Sequence, residues 1–238
     1  ALINSQSRDS SLSISPDGKV MFIYRNNPEH AGDIFRAEKS DRTGKWRRPK
    51  LLSKPVNSSF YEGSITATKG EEKIFFISER KGGQGRGDIY MSKRVGHKEW
   101  SEPENLGGKI NTPDDEKFVH VHPNGKTLFF ASNGHPSLGS YDIYKTELVD
   151  GEWTKPVNLG YPINTVNEES TFSLTPDYKT LYMAAQLEEN YGKRDIYKVD
   201  LKELDLLAAG MKKKTHGSIA GTVVSDADGS YVKDCNII

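Results

Sequence analysis

The chain has 238 residues, 34% of them hydrophobic, with 11 Tyr, 9 Phe and 3 Trp; this aromatic-rich, aliphatic-poor balance suits half-exposed strands better than helix bundles. Its 33 basic residues cancel 33 acidic ones, which removes any global electrostatic reason to bind nucleic acid or an anionic membrane. No apolar run approaches the roughly 20 residues of a membrane helix, and the single cysteine, Cys235, excludes an internal disulfide and a Cys-rich zinc site.

The first predicted strand runs from Ser10 to Ser15, with Leu12 and Ile14 on one face and serines on the other. Pro16-Asp17-Gly18 supplies a turn, because proline presets φ, aspartate caps its own backbone and glycine accepts φ > 0. Val20 to Tyr24 forms the second strand. A polar loop at 26–31 leads to a third at Asp33 to Ala37, and Arg42-Thr43-Gly44-Lys45 turns into a fourth at Trp46 to Leu52. The same order then returns. Ile3-Asn4-Ser5 recurs as Val56-Asn57-Ser58, Ile110-Asn111-Thr112 and Ile163-Asn164-Thr165, at spacings of 53, 54 and 53. Asp33-Ile34-Phe35 recurs as Asp88-Ile89-Tyr90, Asp142-Ile143-Tyr144 and Asp195-Ile196-Tyr197, and Trp46 with Pro49 recurs as Trp100 with Pro103 and Trp153 with Pro156. Four antiparallel strands repeating at this interval predict an all-β chain of β-propeller blades.

The fourth unit shows no Trp-bearing outer strand after Val199, and Ala1-Leu2-Ile3-Asn4 matches Tyr161-Pro162-Ile163-Asn164, the residues just past such a strand. The four visible units are therefore expected to belong to a larger ring. Beyond Leu201, residues 202–216 read as a linker containing Lys212-Lys213-Lys214, and 217–238 as the first strands of a small β-sandwich. The chain opens on Ala1 without a leader and closes on the apolar Asn236-Ile237-Ile238, so both ends are expected to be cut.

Pro16-Asp17-Gly18-Lys19, an apolar strand and then Asp33-Ile34-Phe35 resemble the PD40 repeat, the WD40-like propeller module of the TolB family, over residues 1–201. Two units depart from it, with Lys69-Gly70-Glu71 at the turn of the second and Tyr178 in the glycine position of the fourth. The stretch from Ser218 resembles the first hairpin of a carboxypeptidase-regulatory-like domain, a non-catalytic sandwich. Propeller followed by such a sandwich resembles Bacteroidetes envelope proteins such as PorE of the type IX secretion system. The resemblance implies a non-enzymatic protein-binding scaffold, periplasmic and associated with the outer membrane or a secretion complex. Its implied partners are other envelope proteins, with peptidoglycan reached through a downstream module. The alternative is the accessory propeller of a peptidase or glycan-processing enzyme whose catalytic domain lies outside this sequence.

The sequence holds no Gly-x-Ser-x-Gly elbow, no His-Glu-x-x-His and no phosphate loop, so no catalytic, cofactor-binding or metal-ligating residue is predicted. Lys81 to Gly87 joins two strands rather than opening a helix and reads as a hairpin loop. Arg86-Gly87-Asp88 and the sequon Asn57-Ser58-Ser59 fall on repeated positions, explained by strand entry and an Asx-type turn. His120 and His122 share a strand face but lack a third ligand, and read as packed imidazoles. An acidic residue opens each first strand, and Asp9, Glu62, Glu116 and Glu169 are expected to ring one mouth of the central channel. They serve either the repeat itself, through hydrogen bonds, or a site for Ca²⁺ or a basic peptide. The loops between second and third strands share that face, which makes Arg80, Lys81, Gln84, Arg86, Asn133 and His135 candidate partner contacts. Leu12, Ile14, Phe22, Ile65, Phe76, Val119, Val121, Phe129, Phe172 and Leu174 are the expected core.

Overall fold

Alternating apolar residues joined by tight turns pair each strand with its immediate neighbour. The computed structural model describes residues 3, 5, 9–27, 30–175, 177–186 and 194–201. Blade 1 is β1 (Asp9–Ile14), β2 (Val20–Asn27), β3 (His30–Glu38) and β4 (Lys50–Leu51). Blade 2 is β5 (Glu62–Ala67), β6 (Lys73–Ser78), β7 (Asp88–Gly96), β8 (Glu99–Trp100) and β9 (Glu104–Asn105). Blade 3 is β10 (Glu116–Val121), β11 (Thr127–Ser132), β12 (Asp142–Val149), β13 (Glu152–Trp153) and β14 (Val157–Asn158). Blade 4 is β15 (Phe172–Leu174), β16 (Thr180–Ala185) and β17 (Asp195–Asp200). Every pairing within a blade is antiparallel, and the first three strands of each blade pair in chain order, as the repeat predicts; β9 returns to β7 and β14 to β12.

The outer strands are shorter than expected. In blades 2 and 3 the fourth strand breaks into two-residue pieces on either side of Pro103 and Pro156, which bring no N–H to the ladder. In the first unit, β2 reaches Asn27 and β3 starts at His30, so the loop expected at 26–31 is mostly strand. The expected linker at 202–216 and the sandwich start at 217–238 lie outside the described residues, as does most of the segment between the second and third strands of the fourth unit.

The repeated asparagine is the blade's clasp, which corrects the Asx-turn reading. Asn57 accepts from Ile34 N (2.9 Å) and donates to Ile34 O (2.9 Å) and Leu52 O (2.8 Å). Asn111 and Asn164 bracket Ile89 and Ile143 in the same way. A side-chain amide thus stands in for a strand residue and satisfies both backbone groups of a buried isoleucine.

Blade 2 packs one face on blade 1 and the other on blade 3. Phe22 and Ile34 of blade 1 share a core with Ile65, Ala67, Ile74 and Phe76 of blade 2. Phe75, Ile77 and Ile89 of blade 2 share the next with Val119, Val121, Leu128 and Phe130 of blade 3. Hydroxyls tie the innermost strands together: Ser13 Oγ donates to Ile65 O (2.5 Å), and Thr66 Oγ1 accepts from Val121 N (3.3 Å).

Nine of the ten expected core residues are buried or partly buried. Ile14 is not: it is 55% exposed, whereas its counterparts Ala67, Val121 and Leu174 are buried. Ala67 and Val121 lie in cores shared with the preceding blade, and among the described residues no blade precedes Ile14. The mirror case is Ile196, 80% exposed on the far face of blade 4, where Ile34, Ile89 and Ile143 are fully buried.

The two departures from the turn pattern keep the positive φ of its last residue, though in the second unit Gly70 before it is left-handed as well, at φ 70°. Gly18 and Gly125 take φ of 71° and 68°, and Glu71 and Tyr178 occupy the same position at 53° and 56°. A non-glycine residue there is strained by about 1 kcal/mol or more, so the surroundings must hold both side chains.

Candidate functional site

The four carboxylates that open the inner strands form one repeated motif. Glu62 accepts from Ser58 N (2.9 Å), Ser58 Oγ (2.5 Å) and Ser78 Oγ (2.9 Å), with Arg80 Nη2 at 3.3 Å. Glu116 accepts from Thr112 N (3.1 Å), Thr112 Oγ1 (2.9 Å) and Ser132 Oγ (2.8 Å). Glu169 accepts from Thr165 N (2.9 Å) and Oγ1 (2.7 Å), and Asp9 from Ser5 and from Arg25 Nε (2.9 Å). Glu62, Glu116 and Glu169 are fully buried, and none of the four lines the central cavity. They tie the linker before each inner strand to the blade.

The motif differs in its cation. Burial raises the pKa of Asp9, but hydrogen bonds from Ser5 and the charge of Arg25 outweigh it, so the group lies below its usual range. Glu116 has His135 where Glu62 has Arg80, and burial pushes it up to about 7, with Asp88 adding to the rise.

The candidate loop residues divide. Arg80 is held by Ser78 Oγ (2.9 Å), Pro55 O (3.2 Å) and Val56 O (2.5 Å), and its guanidinium lies 5.2 Å and 5.1 Å from the Phe76 and Tyr90 ring centroids. His135 bonds Ile110 O (2.8 Å), the counterpart of Val56 O, and packs against Tyr144. Asn133 Oδ1 accepts from Asp115 N (2.9 Å). These three hold the loops in place and are poorly placed to touch a partner. Lys81, Gln84 and Arg86 are exposed, with Arg86 2.9 Å from Asp115.

Three residues not singled out from sequence stand nearby, Leu138 on the β11–β12 loop and Tyr161 and Val166 on the linker from β14 to β15. Leu138, Tyr161 and Val166 are 55%, 82% and 82% exposed. The Asp142 carboxylate gathers their segments, accepting from Leu138 N (2.6 Å) and Asn158 Nδ2 (2.6 Å), while Ser140 N donates to Asn167 O (3.0 Å). Their counterparts one blade earlier are Gln84, Gly108 and Pro113. Superposing the units would have found them, as large apolar residues where the repeat tolerates polar or small ones.

The inner strands line a cavity of 470 Å³, walled by Ser13, Thr66, Phe118, His120, Ser173 and Tyr178 among others. Burial lowers the His120 pKa to about 4, with His122 adding to the fall, so His120 is neutral at pH 7. The His122 ring lies 4.0 Å from that of Tyr178. Among the described residues no group of three or more His, Cys, Asp or Glu side chains is arranged to hold a metal ion, and no helix is long and apolar enough to cross a membrane.

Four-stranded antiparallel blades, packed face to face with their first strands around a central cavity, define a β-propeller. The fold is similar to that of a protein of Agrobacterium tumefaciens described as TolB, at 16% identity over 83% of this chain and 60% of that one, with a TM-score of 0.50. Weaker likenesses are to a luciferin-regenerating enzyme (14% identity, 82% and 61% coverage, TM-score 0.49) and a prolyl endopeptidase (15%, 84% and 29%, 0.46). The chain thus spans about 60% of the length of the TolB structure it matches. No protein-family model matches the sequence, and no curated protein does. Identities this low establish the fold alone.

Proposed function

We propose that this propeller is a non-enzymatic protein-binding scaffold of the bacterial cell envelope, engaging its partner through the loop-bearing face of blades 2 to 4. The observation that carries the reading is the exposed group Leu138, Tyr161 and Val166. Large apolar side chains held outward on loops anchored beneath by Asp142 and Glu169 suit a partner's apolar anchor. Lys81, Gln84 and Arg86 provide the polar rim. The envelope setting, periplasmic and near the outer membrane, rests on the resemblance of the repeat to the TolB family. Peptidoglycan contact through a downstream module rests on the resemblance to PorE-like architecture.

The test is affinity capture from a bacterial envelope extract with the chain and with a Leu138→Ser/Tyr161→Ser/Val166→Ser variant. A stoichiometric partner held by the first and lost by the second, at unchanged melting temperature, is the expected result. Equal retention by both overturns the assignment of the face. Peptide, ester or glycoside turnover abolished by one substitution within residues 1–201 overturns the non-enzymatic reading.

A further inference from the structure

The junction between blades 1 and 2 holds a groove of 190 Å³ whose walls are dominated by cations. Its floor is a closed ion-pair layer. Arg36 grips Glu71 with two hydrogen bonds (2.8 and 2.7 Å) and reaches Glu38 (2.5 Å). Arg94 lies 3.2 Å from Glu71, and Lys98 3.2 Å from Glu38. This clamp accounts for the strained backbone at Glu71, whose carboxylate is needed where the turn pattern has glycine. The Arg36 hydrogen bond, followed by Lys98, holds Glu38 down to about 2, so the acceptor side of the layer is ionised and occupied.

Above the floor, donors are in surplus. Arg47 approaches Glu38 only at 3.8 Å, and Arg48 and Lys50 form no ion pair among the described residues. Trp100 lines the groove too: it is 5% exposed, and its Nε1 is buried with no hydrogen-bond partner. An indole N–H can only donate, and left orphaned in a buried place it is unfavourable. The repeat does not require this chemistry. Arg47, Arg48 and Lys50 correspond to Ser101, Glu102 and Glu104 in blade 2 and to Thr154, Lys155 and Val157 in blade 3. On a chain with no net charge, basic residues concentrate on one outer strand beside an unpaired indole.

We propose that this groove is an anion site for a phosphate group, with Arg47, Arg48 and Lys50 on the rim and the Trp100 N–H from the wall. A ligand that only accepts hydrogen bonds is the complement of a rim whose unpaired groups are donors. A tetrahedral dianion with several free oxygens uses three cations and an N–H more fully than a single carboxylate can. The group could be carried by a soluble ester or displayed on a lipid surface, and Leu51, exposed beside it, suits either.

The test titrates the full chain at low ionic strength with inorganic phosphate by calorimetry. Flotation is run in parallel with phosphatidylcholine vesicles with and without phosphatidic acid. Arg48→Glu/Lys50→Glu, which installs the blade 2 residues, should weaken binding at least tenfold without lowering the melting temperature by more than a few degrees. Trp100→Phe, which keeps the ring and removes the N–H, should weaken it several-fold, and Lys155→Glu in blade 3 should leave it unchanged. Response to inorganic phosphate assigns a soluble ester, and response to phosphatidic acid vesicles alone assigns a lipid surface. No binding in either arm, loss equal with Lys155→Glu, or tighter binding of a hexaglutamate peptide than of both phosphate probes overturns the proposal.

Discussion

Replacing Asn111 by leucine tests whether the repeated asparagine closes each blade. Leucine keeps the volume and removes every polar atom. Three hydrogen bonds disappear: from Ile89 N (2.8 Å), to Ile89 O (3.1 Å) and to Asn105 Oδ1 (2.9 Å). Two of the abandoned groups keep another partner, since Ile89 O still accepts from Leu106 N (3.1 Å) and Asn105 Oδ1 from Gly107 N (2.8 Å). The Ile89 N–H keeps none and is buried. One orphaned donor costs about 1–3 kcal/mol and two lost bonds about 1 kcal/mol each, giving about 3–5 kcal/mol against a domain stability of about 5–15 kcal/mol. In urea unfolding followed by far-UV circular dichroism, with a slope of about 2–3 kcal/mol/M, the midpoint should fall by about 1–2 M. Asn124→Leu, which removes one exposed turn bond to Lys126 N (2.8 Å), should move it by less than about 0.5 M. A midpoint for Asn111→Leu no lower than that of Asn124→Leu would refute the clasp.

Val121→Asp should unfold the domain, because Val121 is buried between blades 2 and 3 and an unpaired charge there costs several kcal/mol. Ile14→Asp at the matching position of blade 1 should cost less than about 1 kcal/mol; equal thermal destabilisation of the two would contradict the packing described. Stability should also fall between pH 5 and pH 8 through Glu116. Its folded pKa of about 7 lies above the unfolded value, so the folded state binds the extra proton; the contribution is complete below about 4.5 and is lost as pH rises through 7. The change is up to about 3 kcal/mol, and Glu116→Gln should flatten it in urea midpoints taken across that range.

The blade pattern was legible because its signals are local. Alternation, turn residues and the 53-residue spacing survive in the sequence whatever the tertiary context, and β5, β6, β10 and β11 follow them closely. The features that escaped depend on the neighbouring blade. Ile14 reads as core on its own strand and is exposed because no described blade covers its side. Asn57 reads as a turn former, and its partner Ile34 lies 23 residues away. Arg80 and His135 read as loop polarity, yet both bond the carbonyl preceding the repeated asparagine. The basic groove draws on two units at once, and within a single unit Arg48 and Lys50 are ordinary surface charge.

Face-to-face stacking also grades the resistance of the molecule to local opening. Blade 2 is covered on both faces, so exposing β6 requires breaking two apolar cores at once. Among the described residues blade 4, like blade 1, is covered on one face only, and β17 carries Ile196 in contact with solvent. In a linear array, where stability is a sum of unit and nearest-neighbour terms, opening then starts from the uncovered face and moves inward. The loop at 79–87, hooked onto blade 3 through Glu116 N and Gly87 O (2.8 Å), sits on the stiffest ground. Val166 is carried by the segment leading into blade 4, one of the two end blades of the described array. A partner touching both would bridge a blade covered on both faces and one covered, among the described residues, on a single face, and would couple their opening.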